Sequence, residues 1–187
     1  DLRMSRGLGD VYKRQQFMKI FFYKYGSICE PDISDSFRRL GFEVIDEDME
    51  IYNKNLLPSQ CVETVSKKLI DGQFTFVFTI NFFPWLSDLC EIMHLKYISL
   101  IVDSPVLELY SYSLKNDCNR IFLFDRCLYN EFEPFNQGHI FHVPLAADVN
   151  RIQNVIKNAS TSEKAKFASD ISFICLLYTS PSPRDMR

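Results

Sequence analysis

Short apolar runs alternate with segments of helical periodicity along most of the chain. Each run is rich in aromatic and β-branched residues, which is typical of strands, although a single run taken alone could also be a buried helix. The regular alternation of six such runs with helical segments favours strands. The predicted strands are 17–23, 42–46, 74–80, 97–102, 120–124 and 139–143, and the predicted helices are 31–40, 59–71, 85–93, 126–135, 148–158 and 162–168.

Several helix boundaries are marked by residues with known end preferences. Gly41 and Gly72 follow the first two helical segments and are predicted to end them. Asp148 and Ser162 stand at the start of the last two segments and are predicted to cap them. Between 102 and 120 the periodicity is weak, and we expect one irregular turn there.

The predicted strands also indicate the fold class. Their nearly continuous apolar sequences require burial on both faces, which helices on both sides of a parallel sheet provide. No internal repeat, low-complexity tract or linker interrupts 18–170. We therefore expect one doubly wound, Rossmann-like α/β domain over 18–170, followed by a further strand that begins with ISFI at 171–174.

The two ends of the chain carry related sequence, which we expect not to be native to the protein. Residues 5–15 read SRGLGDVYKRQ and residues 175–185 read CLLYTSPSPRD. When the first is back-translated, its reverse complement, read one base out of frame, encodes the second. Both therefore derive from one DNA element of the kind used as a sequencing adaptor, and we exclude 1–17 and 175–187 from fold prediction. The native segment is predicted to start at Met18 and to be interrupted near Ile174.

Composition and charge exclude several classes of protein. The net charge of −3 becomes more negative when the two ends are removed, so no basic face for nucleic acid is expected. No apolar run reaches the roughly 20 residues that span a bilayer, and Lys19 interrupts the run at 17–23. These features predict a cytoplasmic protein, and peripheral attachment to the inner face of the membrane is left open.

Cysteine and histidine positions do not indicate a metal centre. The cysteines of the native segment are odd in number and never spaced C-x-x-C, which favours free thiols in a reducing compartment. His139 and His142 lie in the sixth run without a carboxylate or thiol at ligand spacing, so no metal site is predicted. These cysteines are Cys29, Cys61, Cys90, Cys118 and Cys127.

Candidate chemistry lies just after the predicted strands. In a doubly wound sheet, ligands bind beyond the carboxyl ends of the strands, near the point where the strand order reverses. The polar or flexible residues at these positions are Gly26 and Ser27 after the first strand, Asn81 after the third, Asp103 and Ser104 after the fourth, and Asp125 after the fifth. We expect these residues to line the ligand-binding cleft.

Asp103 is the candidate general base. If the first and fourth strands are neighbours, its carboxylate and the Gly26 loop line one crevice, where Tyr25, Phe82 and Tyr110 would partly desolvate it. The alternative is that Asp103 only caps the turn that begins at Val106.

Other candidate features have structural explanations of comparable weight. Asp125 precedes a predicted helix, where an N-cap role is the ordinary one. Phe82, Phe83 and Trp85 could stack on a sugar ring or could belong to the core or its rim. Gly26 lacks the companions of a G-x-G-x-x-G fingerprint, so no dinucleotide site is predicted.

Five segments resemble one family of bacterial enzymes. MKIFFYKYGSICEPDI, FTFVFTINFFP, YISLIVDSPVLELYS, NRIFLFD and HVPLAADV are similar to glycosyltransferases whose N-terminal domain long carried only an unknown-function label. These are relatives of the spore-maturation (CgeB-type) group. The resemblance covers nearly all of 18–174, and its most specific parts are the Asp-Ser-Pro step at 103–105 and the Phe-Asp pair at 124–125.

The resemblance implies a GT-B architecture, in which two Rossmann-like domains face a cleft. The N-terminal domain would bind a sugar or glycan acceptor, the C-terminal domain would bind the nucleotide-sugar donor, and no metal is generally required. ISFI at 171–174 would open the C-terminal domain, so the resemblance implies that the donor site would lie almost wholly in sequence that follows 174. No cofactor is expected in 18–170, and this fragment alone is expected to be inactive.

Two other classes of function remain open. A stand-alone flavodoxin-like or receiver-like binding or regulatory module would have the same fold, although a receiver would carry an acidic cluster after its first strand, where this chain has Tyr-Lys-Tyr-Gly at 23–26. A small enzyme of another class would need a nucleophile and base within the domain, and no motif for such a pair is visible. Fold alone does not choose among these classes.

Overall fold

A computed structural model describes residues 18–171 of the chain except Lys54 and Leu56. The chain divides between Ala146 and Ala147 into two compact units, which are described separately. The further strand predicted at 171–174 lies almost wholly outside the described residues, as do the two adaptor-like ends.

The first unit is built on a parallel sheet. Its strands lie in the order β2-β1-β3-β4-β5-β6, and every neighbouring pair is parallel. The prediction of a doubly wound, Rossmann-like α/β fold is therefore confirmed. The strands are β1 (Lys19–Tyr23), β2 (Glu43–Glu47), β3 (Phe76–Ile80), β4 (Lys96–Ile101), β5 (Asn119–Leu123) and β6 (Ile140–His142).

Helices and 3₁₀ turns connect successive strands of the sheet. The helices are α1 (Glu30–Arg39), α2 (Met49–Tyr52), α3 (Pro58–Gly72), α4 (Pro84–Ile92) and α5 (Arg126–Phe132). The weakly periodic stretch between β4 and β5 contains two 3₁₀ turns, Leu107–Tyr110 and Tyr112–Lys115, where one irregular turn was predicted. A third 3₁₀ turn, Glu133–Phe135, replaces the last part of the helix predicted over 126–135.

The core consists of two buried clusters, one on each face of the sheet. Successive side chains of a strand point to opposite faces, so Phe21 and Tyr23 of β1 join one cluster while Ile20 and Phe22 join the other. Helices α3, α4 and α5 pack against the first cluster, and α1 packs against the second. Burial of each such side chain stabilises the fold by about 1.5–3 kcal/mol.

The end of α3 differs from its prediction. Gly72 is the last residue of the helix, and the C-cap is Gln73, which takes the left-handed conformation with φ of 49°. A Cβ atom at position 72 would overlap the ring of Phe74, which is buried and packs edge-on against Phe21 at 5.1 Å. Gly72 therefore provides space for the Phe74 ring, and the left-handed residue that ends the helix is Gln73.

The second unit contains two helices among its described residues, α6 (Val149–Asn158) and α7 (Thr161–Phe167). Asp148 caps α6 as predicted, because its Oδ1 accepts from the Arg151 backbone N–H at 3.0 Å. The prediction of Ser162 as the cap of α7 is wrong. Ser160 caps this helix instead, because Glu163 stands three residues after it and completes a capping box with the Ser160 backbone N–H at 2.8 Å.

Candidate functional site

The strand order places the candidate site at the carboxyl edge of the sheet. From β1 the chain moves to β2 on one side and then to β3 on the other, so the order reverses between β1 and β3. The crevice predicted for Asp103 assumed that β1 and β4 are neighbours, but β3 lies between them. Periodicity identifies strands without giving their order, which explains this error.

Asn81 bridges the gap that β3 creates. It follows β3 in a left-handed conformation, with φ of 57°, and its Oδ1 accepts from the Val102 backbone N–H at 3.1 Å. This bond fixes the orientation of the amide. Its Nδ2 donates to the Tyr25 hydroxyl at 2.9 Å and to Asp103 Oδ2 at 2.5 Å. The ends of β1, β3 and β4 are thereby joined in one polar cluster, Tyr25–Asn81–Asp103.

A chain of buried hydroxyl groups holds the backbone of Asn81 in place. The Phe83 backbone N–H donates to the Tyr97 hydroxyl at 2.9 Å, and the Tyr97 hydroxyl lies 2.7 Å from Thr79 Oγ1. Thr79 Oγ1 donates to the Asn81 carbonyl at 2.7 Å, so it accepts from Tyr97. Tyr97 and Thr79 are fully buried. These hydroxyl groups tie both ends of the 81–83 loop to the core, and burial raises the pKa of Tyr97.

We expect Tyr97→Phe to lower the free energy of unfolding by about 2 kcal/mol, because it leaves the Phe83 N–H without an acceptor and removes the hydrogen bond to the buried Thr79 hydroxyl. The raised pKa means that the Tyr97 hydroxyl stabilises the fold fully below pH ~10, the pKa of tyrosine in an unfolded chain, and that this contribution is lost as the pH rises above it. Urea unfolding at pH 8 and pH 11 measures both effects. A variant that loses as much stability at high pH as the wild type would contradict the assignment.

Asp103 is exposed and is not a helix cap. The 3₁₀ turn after it starts at Leu107 and has no side-chain cap. The predicted desolvation is wrong, because Phe82 is 1% exposed within the core and Tyr110 instead donates to Glu131 at 2.7 Å. Of the three predicted neighbours, Tyr25 remains. Burial, with a contribution from the Asp103 charge, raises the pKa of Tyr25, which therefore keeps its proton.

Ser104 and Asp125 continue the polar row to the next strand. Ser104 Oγ donates to Asp125 Oδ2 at 3.2 Å. Asp125 caps α5, since its Oδ1 accepts from the backbone N–H groups of Cys127 at 2.7 Å and Leu128 at 3.3 Å. These bonds lower the pKa of Asp125. The capping alternative is therefore confirmed for Asp125. Its second oxygen, Oδ2, still lies at the carboxyl edge of the sheet.

Gly26 and Ser27 form a loop around a residue that sequence analysis missed. The backbone N–H of Tyr25 donates to Glu30 Oε1 at 2.8 Å, and that of Gly26 contacts both Glu30 oxygens at 3.2 and 3.1 Å. The Ser27 carbonyl accepts from the Glu30 N–H at 3.1 Å. Gly26 has φ of 102°, a conformation that favours glycine. An acid in the first turn after a glycine was the available signal for Glu30.

The aromatic residues after β3 pack against the protein. Phe82 belongs to the core, which confirms the core alternative for this residue. Phe83 lies 5.4 Å from the Tyr23 ring and 5.6 Å from the Tyr25 ring, and Trp85 lies 5.4 Å from Tyr23. The described geometry thus gives these rings packing roles at the base of the candidate site.

The described cysteines and histidines are not grouped as metal ligands. No group of three or more potential metal-ligating side chains occurs among the residues the structure describes. All five described cysteines are free thiols, as predicted. His142 packs against the Tyr129 ring at 6.0 Å, and His139 Nδ1 is buried without a hydrogen-bond partner among the described residues.

The described thiols should differ in reactivity. Burial raises the pKa of Cys90, and burial together with Glu91 raises the pKa of Cys118 to about 12. Cys127 is exposed. Because the thiolate is the nucleophile, we expect iodoacetamide at pH 8 to modify Cys90 and Cys118 at least about 100-fold more slowly than Cys127. Peptide mass spectrometry measures these rates, and the difference should vanish in urea; equal rates in the folded protein would contradict it.

A second concavity lies between the 3₁₀ turns that precede β5 and the end of α5. Its volume is about 300 Å³, and exposed rings of Tyr110, Tyr112 and Phe135 line it together with Lys115. Ser111 also lines it, and the Ser111 hydroxyl is buried without a hydrogen-bond partner among the described residues. None of the predicted site residues lines this concavity.

Comparison with known proteins does not assign the chain to a family, so its class is described from its fold and its candidate site. No protein-family model matches the chain, and no curated protein matches it. The fold defines a Rossmann-like α/β domain with a parallel sheet, and the site is a polar row along the carboxyl edge of β1, β3, β4 and β5. Within the described ranges, no helix is both long and apolar enough to cross a membrane.

Proposed function

We propose that this chain is the N-terminal, acceptor-binding part of a bacterial glycosyltransferase with two Rossmann-like domains. The observation that carries the proposal is the Tyr25–Asn81–Asp103 cluster at the strand-order reversal, where α/β proteins bind ligands. Asp103 is exposed there, and Asn81 holds one of its oxygens. The resemblance of the segments around these residues to such enzymes supports the same conclusion.

The cluster supplies the groups that activation of an acceptor hydroxyl needs. Asp103 takes the proton of the acceptor hydroxyl, and the acceptor oxygen forms a bond to the anomeric carbon of the donor sugar. The bond from this carbon to the diphosphate breaks, and the diphosphate leaves with the electron pair. Asn81 donates to Oδ2 and so leaves Oδ1 of Asp103 for the proton. The protonated Tyr25 hydroxyl binds a second hydroxyl of the acceptor.

The nucleotide-sugar donor belongs, in this proposal, to a second domain. The loop after β1 carries no glycine-rich fingerprint, and its N–H groups at Tyr25 and Gly26 already bind Glu30. Basic groups or a helix N-terminus of the second domain would stabilise the leaving diphosphate. The proposal assigns the enzyme to the cytoplasm or the inner face of the membrane, in line with the odd number and scattered spacing of its cysteines, which favour a reducing compartment.

The proposal is tested by reading the source DNA outward from the 18–174 segment and expressing the complete protein. A second α/β domain is expected to follow, and calorimetry should detect binding of nucleotide sugars to the complete protein but not to this chain. A stop codon within a few residues of 174, or nucleotide-sugar binding by this chain alone, would contradict the proposal.

A flavodoxin-like binding module is the second candidate, because the order β2-β1-β3-β4-β5 is that of flavodoxin-like folds. Such modules bind a flavin phosphate at the loop after β1. Titration with flavin mononucleotide, followed by quenching of flavin fluorescence, distinguishes the candidates. We expect no binding, since Glu30 occupies the N–H groups that would hold the phosphate.

A further inference from the structure

The loop after β1 contains an anion-binding arrangement that the protein fills itself. Two consecutive backbone N–H groups, those of Tyr25 and Gly26, point at the Glu30 carboxylate over 2.8–3.2 Å. The Glu30 side chain is 2% exposed, so both oxygens are withdrawn from solvent. Glu30 is also the first residue of α1, where the helix dipole favours negative charge.

The same arrangement holds phosphate groups in many α/β proteins, where the loop after the first strand and the following helix N-terminus supply the donors. A carboxylate and a phosphate offer these donors the same kind of charged oxygen acceptor. With Glu30 bound, the N–H groups of Tyr25 and Gly26 are therefore not available to an anionic ligand.

The charges around this loop also disfavour the binding of an anion. Asp103 and Asp125 present carboxylates along the same edge. Lys24, next to Tyr25 in the chain, is bound to Asp46 at 2.8 Å. Arg126 stands on this edge beyond β5, which β3 and β4 separate from β1. The part of the edge around Asn81 therefore repels anions and accepts hydroxyl or amino groups.

We propose that Glu30 determines the specificity of this site: its carboxylate fills the anion position of the loop and restricts the crevice to acceptors that present uncharged or cationic groups, such as sugar hydroxyls or amines. The identity of the acceptor as a sugar rests on the proposed function. The exclusion of phosphate and carboxylate groups is a property of this chain and is tested without any transfer reaction.

The test is chemical rescue of Glu30→Ala. Removal of the carboxylate leaves the two N–H groups without an acceptor, so the melting temperature should fall. Formate, which has the same carboxylate group, and inorganic phosphate should each raise the melting temperature of the variant by about 3–5 °C at 100 mM if either binds with a dissociation constant of about 10 mM. The wild type should respond by less than about 1 °C.

Asp35→Ala is the matched control, because Asp35 is an exposed acid of the same helix whose ion pair with Arg38 is long, at 3.9 Å. It corrects for the general stabilisation of folded proteins by phosphate and should respond as the wild type does. A wild type that responds as strongly as Glu30→Ala would overturn the proposal. So would the absence of rescue by both anions.

Glu30→Gln provides a second measurement if Glu30→Ala does not fold. Glutamine keeps an oxygen acceptor and removes the charge, so the fold should persist. In an NMR spectrum the Tyr25 and Gly26 amide protons should move upfield, because each loses a charge-assisted hydrogen bond. Unchanged amide resonances would overturn the proposal whether or not the complete protein transfers sugar.

Discussion

Asp103→Asn is expected to reduce sugar transfer by the complete protein about 100-fold or more, which is the usual contribution of a general base. Asparagine has the same shape, and its oxygen can still accept from Asn81, so the cluster should remain intact. What is lost is the ability to take a proton. Because Asp103 is exposed, we expect the free energy of unfolding to change by less than about 0.5 kcal/mol.

Steady-state kinetics of transfer, with thermal unfolding in parallel, checks this prediction. The effect should fall on kcat, since the acceptor hydroxyl can still bind to an amide. Asp117→Asn is the matched control, because this exposed aspartate precedes β5 at the opposite, amino edge of the sheet. Retention of more than about a tenth of wild-type turnover by Asp103→Asn would exclude Asp103 as the base.

The largest loss of stability is expected for Asn119→Ala, at about 3 kcal/mol. Asn119 is fully buried at the start of β5. Its Nδ2 donates to the carbonyls of Ser113 at 2.8 Å and Leu114 at 3.1 Å, and its Oδ1 accepts from Ser87 at 2.7 Å. Alanine removes all three of these buried hydrogen bonds and also creates a cavity.

Urea unfolding of the variant and the wild type measures this loss. Asn130→Ala is the control, because Asn130 is an exposed residue of α5 and its replacement should change stability by less than about 0.5 kcal/mol. A loss below about 1 kcal/mol for Asn119→Ala would show that water or a shift of the 3₁₀ turn replaces the bonds of the asparagine.

The strands were predictable from sequence because burial on both faces leaves a continuous apolar run, which the segments at 74–80 and 97–102 show clearly. Helix ends were less predictable because end residues serve other contacts. Gly72 accommodates the Phe74 ring, and the capping box selects Ser160 over Ser162. Both outcomes depend on contacts that glycine and serine preferences alone do not contain.

The candidate site was predictable in its location but not in its connections. The carboxyl edge follows from a parallel sheet, and Asn81 and Asp103 do meet there. Their contact depends on the strand order and on the left-handed conformation of Asn81, neither of which periodicity encodes. Glu30 was missed because its partners are backbone N–H groups, and its place in the first helical turn after a glycine was the one sequence signal for this contact.

The two side-chain amide protons of Asn81 provide an intrinsic NMR probe of the candidate site. One faces a neutral hydroxyl at 2.9 Å and the other a carboxylate at 2.5 Å, so each has its own NMR resonance. A molecule that binds Tyr25 shifts the first resonance, whereas proton uptake by Asp103 shifts the second. A single labelled asparagine therefore distinguishes occupancy of the site from a change in its protonation state.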